Sequence, residues 1–139
     1  LHDPLVAEHA GLIAQATSTV ADPAVRHRGT FGGALSHADP AGDLPAVAAA
    51  MEAEFVVAGS GGRRTVPASE FFLGTWTTSV GEDEILSAVH FPVWSGKTGF
   101  AVEEVARRSG DFALTGVVAA VEVDPSGSVT RERGNHASV

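Results

Sequence analysis

The chain has 139 residues, 44% of them hydrophobic and 19% charged, with a formal net charge of −8. That balance describes one folded domain rather than a disordered segment, and the acidic excess argues against nucleic acid as a partner, since phosphates would be repelled. The lack of cysteine excludes a disulfide framework, a thiolate zinc site and a cysteine-ligated iron–sulfur cluster within the chain.

No apolar run approaches the ~18 residues of a membrane-spanning helix, so no membrane span is expected. The chain starts at Leu1 without a methionine and shows no signal peptide, which reads as a processed or cut chain from a cytoplasmic protein.

The first element reads as a helix. Asp3 can cap it, Pro4 suits its first position, and Leu5, His9, Leu12, Ile13 and Ala16 recur at helical spacing. The Thr17-Ser18-Thr19 cluster should end it. Ala21 to Arg28 then reads as an extended approach, with Pro23 limiting any strand to an edge.

Arg26 to Asp43 reads R-H-R-G-T-F-G-G-A-L-S-H-A-D-P-A-G-D. Gly29, Gly32 and Gly33 allow close approach of another molecule to the main chain. Consecutive free N–H groups in such a loop can form a nest for an anion such as phosphate, helped by a helix starting just downstream. A plain Gly-rich turn is the other reading. A second helix should start near Asp43, with Asp43 as cap and Pro45 in the first turn, and run to about Met51.

Ala53 to Ala58 reads as a buried strand, Ser60-Gly61-Gly62 as a hairpin turn and Arg63 to Val66 as the returning strand. Ala68 to Leu73 could form one helical turn. Ile85 to Phe91 alternates as a strand, with Ile85, Ser87, Val89 and Phe91 on one face and Leu86, Ala88 and His90 on the other. Phe100 to Ala106 and Ala113 to Val123 should be further strands, and Asp124-Pro125-Ser126-Gly127 a turn into Ser128 to Arg131. Strand runs joined by short turns, with helices set apart, imply an α+β fold with a mostly antiparallel sheet and flanking helices.

The string from Arg26 through Ala46 resembles the second FAD-contacting segment of the flavoprotein (medium) subunit of molybdenum hydroxylases, the group of aerobic carbon monoxide dehydrogenase and xanthine dehydrogenase. R-T-V-P-A-S-E-F-F-L-G, then E-D-E-I-L-S-A-V-H-F-P, then A-R-R-S-G-D-F-A-L follow in the family's order. The likeness extends from about Pro4 to about Thr130. It implies the second subdomain of that FAD-binding fold over residues 1–93, a linker at 94–99 and a partial C-terminal domain over 100–139. The family's earlier Gly-rich loop, and the small subdomain that carries it, have no counterpart here. The tail Arg131 to Val139 does not resemble the family's continuation, and Ala34 stands where many relatives carry asparagine.

The resemblance implies FAD as cofactor, with Thr30, Phe31, Gly32, Gly33 and Ala34 along its pyrophosphate or flavin edge. It gives Asp43 a hydrogen bond to an FAD hydroxyl, beside the capping role read above, and puts His37 near the cofactor. Ile85 and Leu86 match an aliphatic contact to the isoalloxazine ring, against an ordinary place in a strand core. Arg107, Arg108 and Asp111 match a loop bordering the flavin; paired arginines are otherwise surface charges. The H-x-D pair His37 and Asp39 lacks third and fourth ligands at a recognisable spacing, so no metal site is expected.

No Ser-His-Asp order, nucleophile elbow or P-loop lysine appears, so no catalytic side chain is expected. This fits a flavoprotein whose cofactor carries the redox chemistry. The leading expectation is an electron-transfer segment working with a molybdenum-cofactor large subunit and a 2Fe-2S small subunit. The alternatives are a folded fragment or interaction module that no longer binds FAD, and a lone phosphate or nucleotide binder.

Overall fold

The computed structural model describes residues 3–94, 96–108 and 110–138. The N-terminal part is helical. Asp3 accepts the Leu5 N–H at 2.9 Å and opens α1 (Pro4–His9). The single helix expected to reach Ala16 is interrupted at Ala10 (φ −142°, ψ 53°), and α2 (Gly11–Thr19) begins afresh. It also runs through the Thr17-Ser18-Thr19 cluster expected to stop it. Those hydroxyls fold back onto the carbonyls of Ile13, Gln15 and Ala16 at 2.6–2.7 Å, which lets them sit inside a helix.

The approach expected to be extended contains a turn of helix, α3 (Pro23–Arg26), because Asp22 caps it through the Val25 N–H at 3.0 Å and Pro23 takes the first position. The Gly-rich segment expected as a loop is itself the first turn of α4 (Phe31–His37). Its cap is Thr30, whose hydroxyl accepts the Gly33 N–H at 3.0 Å. The next helix, α5 (Asp43–Ala50), starts where the sequence places it, but Gly42 and not Asp43 is the cap residue. The Asp43 carboxyl is therefore left for other partners.

One three-stranded antiparallel sheet has the order β2-β1-β5. Its β1 (Glu54–Gly59) and β2 (Gly62–Pro67) form the expected hairpin, with Gly62 at φ 113° closing the turn. The expected helical turn α6 (Ala68–Phe71) follows, then a two-stranded ribbon of β3 (Phe72–Gly74) and β4 (Thr77–Thr78) that the sequence did not announce. Under this sheet Phe55 and Phe71 stack with ring centroids 3.7 Å apart, and Phe72 meets Phe55 edge-on at 5.4 Å. Leu35, Leu44 and Val57 complete that core.

The third strand, β5 (Glu84–His90), departs from simple alternation. Val56 pairs with Ala88 and Val57 with Leu86, so Ser87 is an extra residue, and its hydroxyl bonds the Val56 carbonyl at 2.9 Å. Such a bulge shifts the phase of the side chains. Leu86 and Val89 consequently both pack on the core, whereas Ile85 is 67% exposed. The two-face reading of this strand is corrected accordingly.

The second three-stranded sheet comprises β6 (Lys97–Val105), β7 (Thr115–Val123) and β8 (Val129–Ser138), all antiparallel. Expected as a short strand ending at Arg131, β8 instead takes up the tail and pairs with β7 as far as Ser138 opposite Thr115. The sheet packs on α2 and α5. Leu12, Ala16, Val47 and Met51 share one buried cluster with Trp94, Val118, Ala120 and Ala137. Gly11 makes this contact possible, since a Cβ there would lie 3.2 Å from the Phe100 ring.

Candidate functional site

A cavity of about 270 Å³ opens where α4, α5 and the β6–β7 connection converge. Ala34 and His37 reach it from α4, Asp43 from the first turn of α5, Glu104 from β6, and Asp111 and Phe112 from the connection. Of the residues singled out in the sequence, it unites Ala34, His37, Asp43 and Asp111. Phe112 stands at the rim, 66% exposed. An adjoining groove of about 720 Å³ shares Glu104 and Asp111 and adds Arg26, Arg107 and Arg108.

The other sequence candidates lie outside this lining. Thr30, Phe31, Gly32 and Gly33 form the start of α4. The Gly33 N–H goes to the Thr30 hydroxyl and the Ala34 N–H to the Thr30 carbonyl, each at 3.0 Å. The nest is thereby reduced to the N–H groups of Phe31 and Gly32. Phe31 itself turns inward, edge-on to Phe91 at 5.8 Å. Leu86 packs on the core beneath the first sheet, while Ile85 faces outward.

Gly32 is informative. Beyond its own helix, a Cβ there would meet no atom of the described residues within 4 Å, and its φ is not positive. Glycine in a helix costs about 0.5–1 kcal/mol relative to alanine, and the fold offers no reason for it here. Close approach by an outside molecule would. Gly33 differs, because a Cβ there would lie 2.7 Å from the Thr30 hydroxyl and destroy the cap.

His37 is exposed, with its Nε2 4.0 Å from Asp39 Oδ2 and its ring stacked on Trp76 at 6.4 Å and 18°. Among the described residues no three His, Cys, Asp or Glu side chains are grouped to hold a metal ion.

Asp43 is the electrostatic centre of the cavity. Burial raises its carboxyl first, and the neighbouring Glu104 adds to this by charge repulsion and by a side-chain hydrogen bond, pushing it up to about 6. The Glu104 Oε1 atom is shut off from solvent without a conventional donor. Sequence reading missed Glu104, since a lone glutamate in an alternating strand carries no signal. Trp76 was equally silent, and Phe112 entered only as part of the A-R-R-S-G-D-F-A-L string.

These residues fit part of a dinucleotide. Complete small-molecule sites run to about 300–1,000 Å³, so the cavity accommodates a portion of such a ligand. Its orphaned polar atom and the open face over Gly32 are features that a ligand would satisfy.

Residues 1–94 match the model of a family described as the FAD binding domain in molybdopterin dehydrogenase. The chain is 44% identical over 116 residues to the carbon monoxide dehydrogenase medium chain of Hydrogenophaga pseudoflava, covering 84% of this chain and 40% of that one. It is 39% identical over 124 residues to the glyceraldehyde dehydrogenase medium chain of Sulfolobus acidocaldarius, covering 88% and 43%.

Among solved structures, carbon monoxide dehydrogenase from H. pseudoflava superposes with a TM-score of 0.92 at 41% identity, over 97% of this chain and 47% of that one. Quinoline 2-oxidoreductase from Pseudomonas putida 86 gives 0.89 at 34% identity, over 99% and 47%. The chain thus spans less than half the length of the relatives it matches.

Proposed function

The chain belongs to the family of FAD-binding domains of molybdopterin dehydrogenases, and from that premise we propose that it holds part of an FAD at the Asp43 cavity and along the start of α4. The observation that carries this reading is the convergence of Ala34, His37, Asp43 and Asp111, from separate segments of sequence, on one cavity. Residues 1–93 act as the second FAD subdomain, 94–99 as a linker and 100–139 as part of the flavoprotein C-terminal domain.

The roles follow from position. The Phe31 and Gly32 N–H groups serve the pyrophosphate, and Gly32 gives it room. The Thr30 hydroxyl, already accepting from Gly33, keeps its own proton to donate. Asp43 and Asp111 meet polar edges of the cofactor, and His37 and Ala34 flank them. Arg107 offsets phosphate charge from the adjoining groove. Ile85 presents an exposed aliphatic surface to the isoalloxazine ring, and Leu86 supports that strand from below. The bound flavin would supply the electron-carrying chemistry; the protein binds, orients and screens it.

In the whole assembly the subunit passes electrons between iron–sulfur clusters and an external acceptor, beside a molybdenum-cofactor large subunit and a 2Fe-2S small subunit. Cytoplasmic residence is part of the same proposal. Among the described residues no helix is long and apolar enough to cross a membrane.

Titration of the chain with FAD, read by flavin fluorescence and Tm together, tests the reading. Saturable binding at about micromolar Kd or tighter supports it. Absence of binding up to about millimolar FAD favours the second reading, a folded fragment whose cofactor site is incomplete, for which the small cavity speaks. Stabilisation by inorganic phosphate but not FAD would favour a simple anion site.

A further inference from the structure

The turn between β3 and β4 holds a bulky residue where backbone chemistry favours glycine. Gly74 pairs with Thr77, so Thr75 and Trp76 are the two residues of the turn. The second of them, Trp76, has a positive φ of 52°, and the first does not. That pattern ordinarily calls for glycine or asparagine at the second position, because a large side chain is strained there.

The fold gains little from the indole. It is 65% exposed and belongs to neither buried cluster. The main chain fixes the turn instead, since the Trp76 N–H donates to the Ala38 carbonyl at 3.0 Å, a bond that any residue but proline could make. Ala38 closes α4 in the left-handed region, at φ 52° and ψ 44°. The turn is thereby tied to the end of α4, and the ring is held beside His37, with centroids 6.4 Å apart and planes 18° from parallel.

His37 connects this ring to the site. It lines the Asp43 cavity while remaining exposed, so it stands at the cavity's edge. Trp76 lies outside the lining, one ring beyond it. The cavity, at about 270 Å³, takes a portion of a dinucleotide, and the remainder must lie outside. An exposed aromatic face next to the opening is a surface on which a planar heterocycle stacks.

Resting on the functional reading above, we propose that Trp76 is an aromatic platform at the cavity mouth, on which a planar nitrogen heterocycle of the bound dinucleotide stacks, and that His37 backs the indole from the cavity side. FAD carries two such rings, the adenine and the isoalloxazine, and both present the same stacking chemistry.

The test uses the wild-type chain, Trp76→Gly and Trp76→Phe, each titrated with FAD and separately with AMP and FMN. W76G relieves the positive φ and keeps the N–H bond to Ala38, so its unfolding midpoint in denaturant should hold or rise. Its Kd for FAD should nevertheless rise by about five- to hundredfold, the range expected for losing one stacked ring. W76F keeps a ring and should stay within several-fold of wild type. A second readout is optical. The chain has 2 tryptophans and Trp94 is buried, so acrylamide quenching reports on Trp76, and saturating FAD should protect it.

Weakened AMP binding with unchanged FMN binding in W76G would support the platform with adenine on the indole; the reverse would support it with the isoalloxazine there. W76G binding FAD as tightly as wild type, with the wild-type indole still open to acrylamide, would overturn the platform and leave the FAD reading intact. Equal losses of affinity and of unfolding midpoint in W76G and W76F would also overturn it, since a purely structural residue acts that way. Binding of none of the three ligands to any of the chains would overturn the platform and the functional reading together.

Discussion

Glu52 and Arg131 lie far apart in sequence and meet at 2.6 Å, with Arg133 joining the same carboxylate at 2.7 Å. Arg131 also lies over the Trp94 ring, 4.1 Å from its centroid. The turn after α5 is thereby tied to the last strand, β8, beside the buried cluster that the helices share with the second sheet. Glu52→Gln keeps the shape and removes the charge. The groups are partly exposed, so the expected loss is about 1 kcal/mol or less. Denaturant unfolding at low and high salt checks it, because the wild-type advantage should shrink as salt screens the network. Hydrogen bonds from Arg133 and then Arg131 hold Glu52 below its ordinary value. Its contribution is therefore present above about pH 4.5 and lost as pH falls. A wild-type advantage indifferent to salt would mean that packing, not charge, ties the strand.

Much of this architecture is written in local chemistry. Asp3-Pro4 and the start at Asp43 mark helices in the sequence and in the structure, and the Ser60-Gly61 hairpin follows from glycine at φ 113°. The Asp22-Pro23 pair carries the same capping signal as Asp3-Pro4, although its proline also suits a strand edge; the cap prevails. The bulge at Ser87 was not legible, because a one-residue register shift is set by pairing with β1 and not by the composition of β5. The charged run Arg131-Glu132-Arg133 hid a strand whose support comes from β7 and Glu52. At the site, Asp43 was visible through its motif. Its partner Glu104 was not, since the meeting of two carboxyls from distant segments is a tertiary fact.

The two glycines at the start of α4 should separate folding from binding. Beyond its own helix, Gly32→Ala meets no atom of the described residues within 4 Å, so stability should hold or rise by about 0.5–1 kcal/mol. FAD affinity should nevertheless fall by about tenfold or more if the cofactor passes over that face. Gly33→Ala drives a methyl to 2.7 Å from the Thr30 hydroxyl and should cost about 1 kcal/mol through the lost cap. Chemical denaturation and FAD titration of both variants check this. A G32A chain that binds FAD as wild type does would place the cofactor elsewhere.

Arg64 on β2 and Glu84 on β5 flank β1 and clasp across it, Nε to Oε1 at 2.9 Å and Nη2 to Oε2 at 2.7 Å. Arg64 also donates to the Ser79 carbonyl at 2.6 Å, and Glu84 accepts the Gly81 N–H at 2.8 Å. The clasp therefore also holds the connection into β5. The Arg64 hydrogen bond first, and the Gly81 N–H second, lower the Glu84 carboxyl to about 2. A depressed carboxyl stabilises the folded state above its unfolded value near 4.5, and that contribution drains away as pH falls towards 2. Arg64→Gln should shrink the acid-side loss of Tm between about pH 4.5 and about pH 2, while lowering Tm slightly at neutral pH. The raised Asp43 carboxyl, lifted first by burial, acts with opposite sign between about pH 4 and 6, so the two effects occupy different parts of one titration. Equal acid limbs in wild type and R64Q would show that the clasp does not govern this sheet's acid sensitivity.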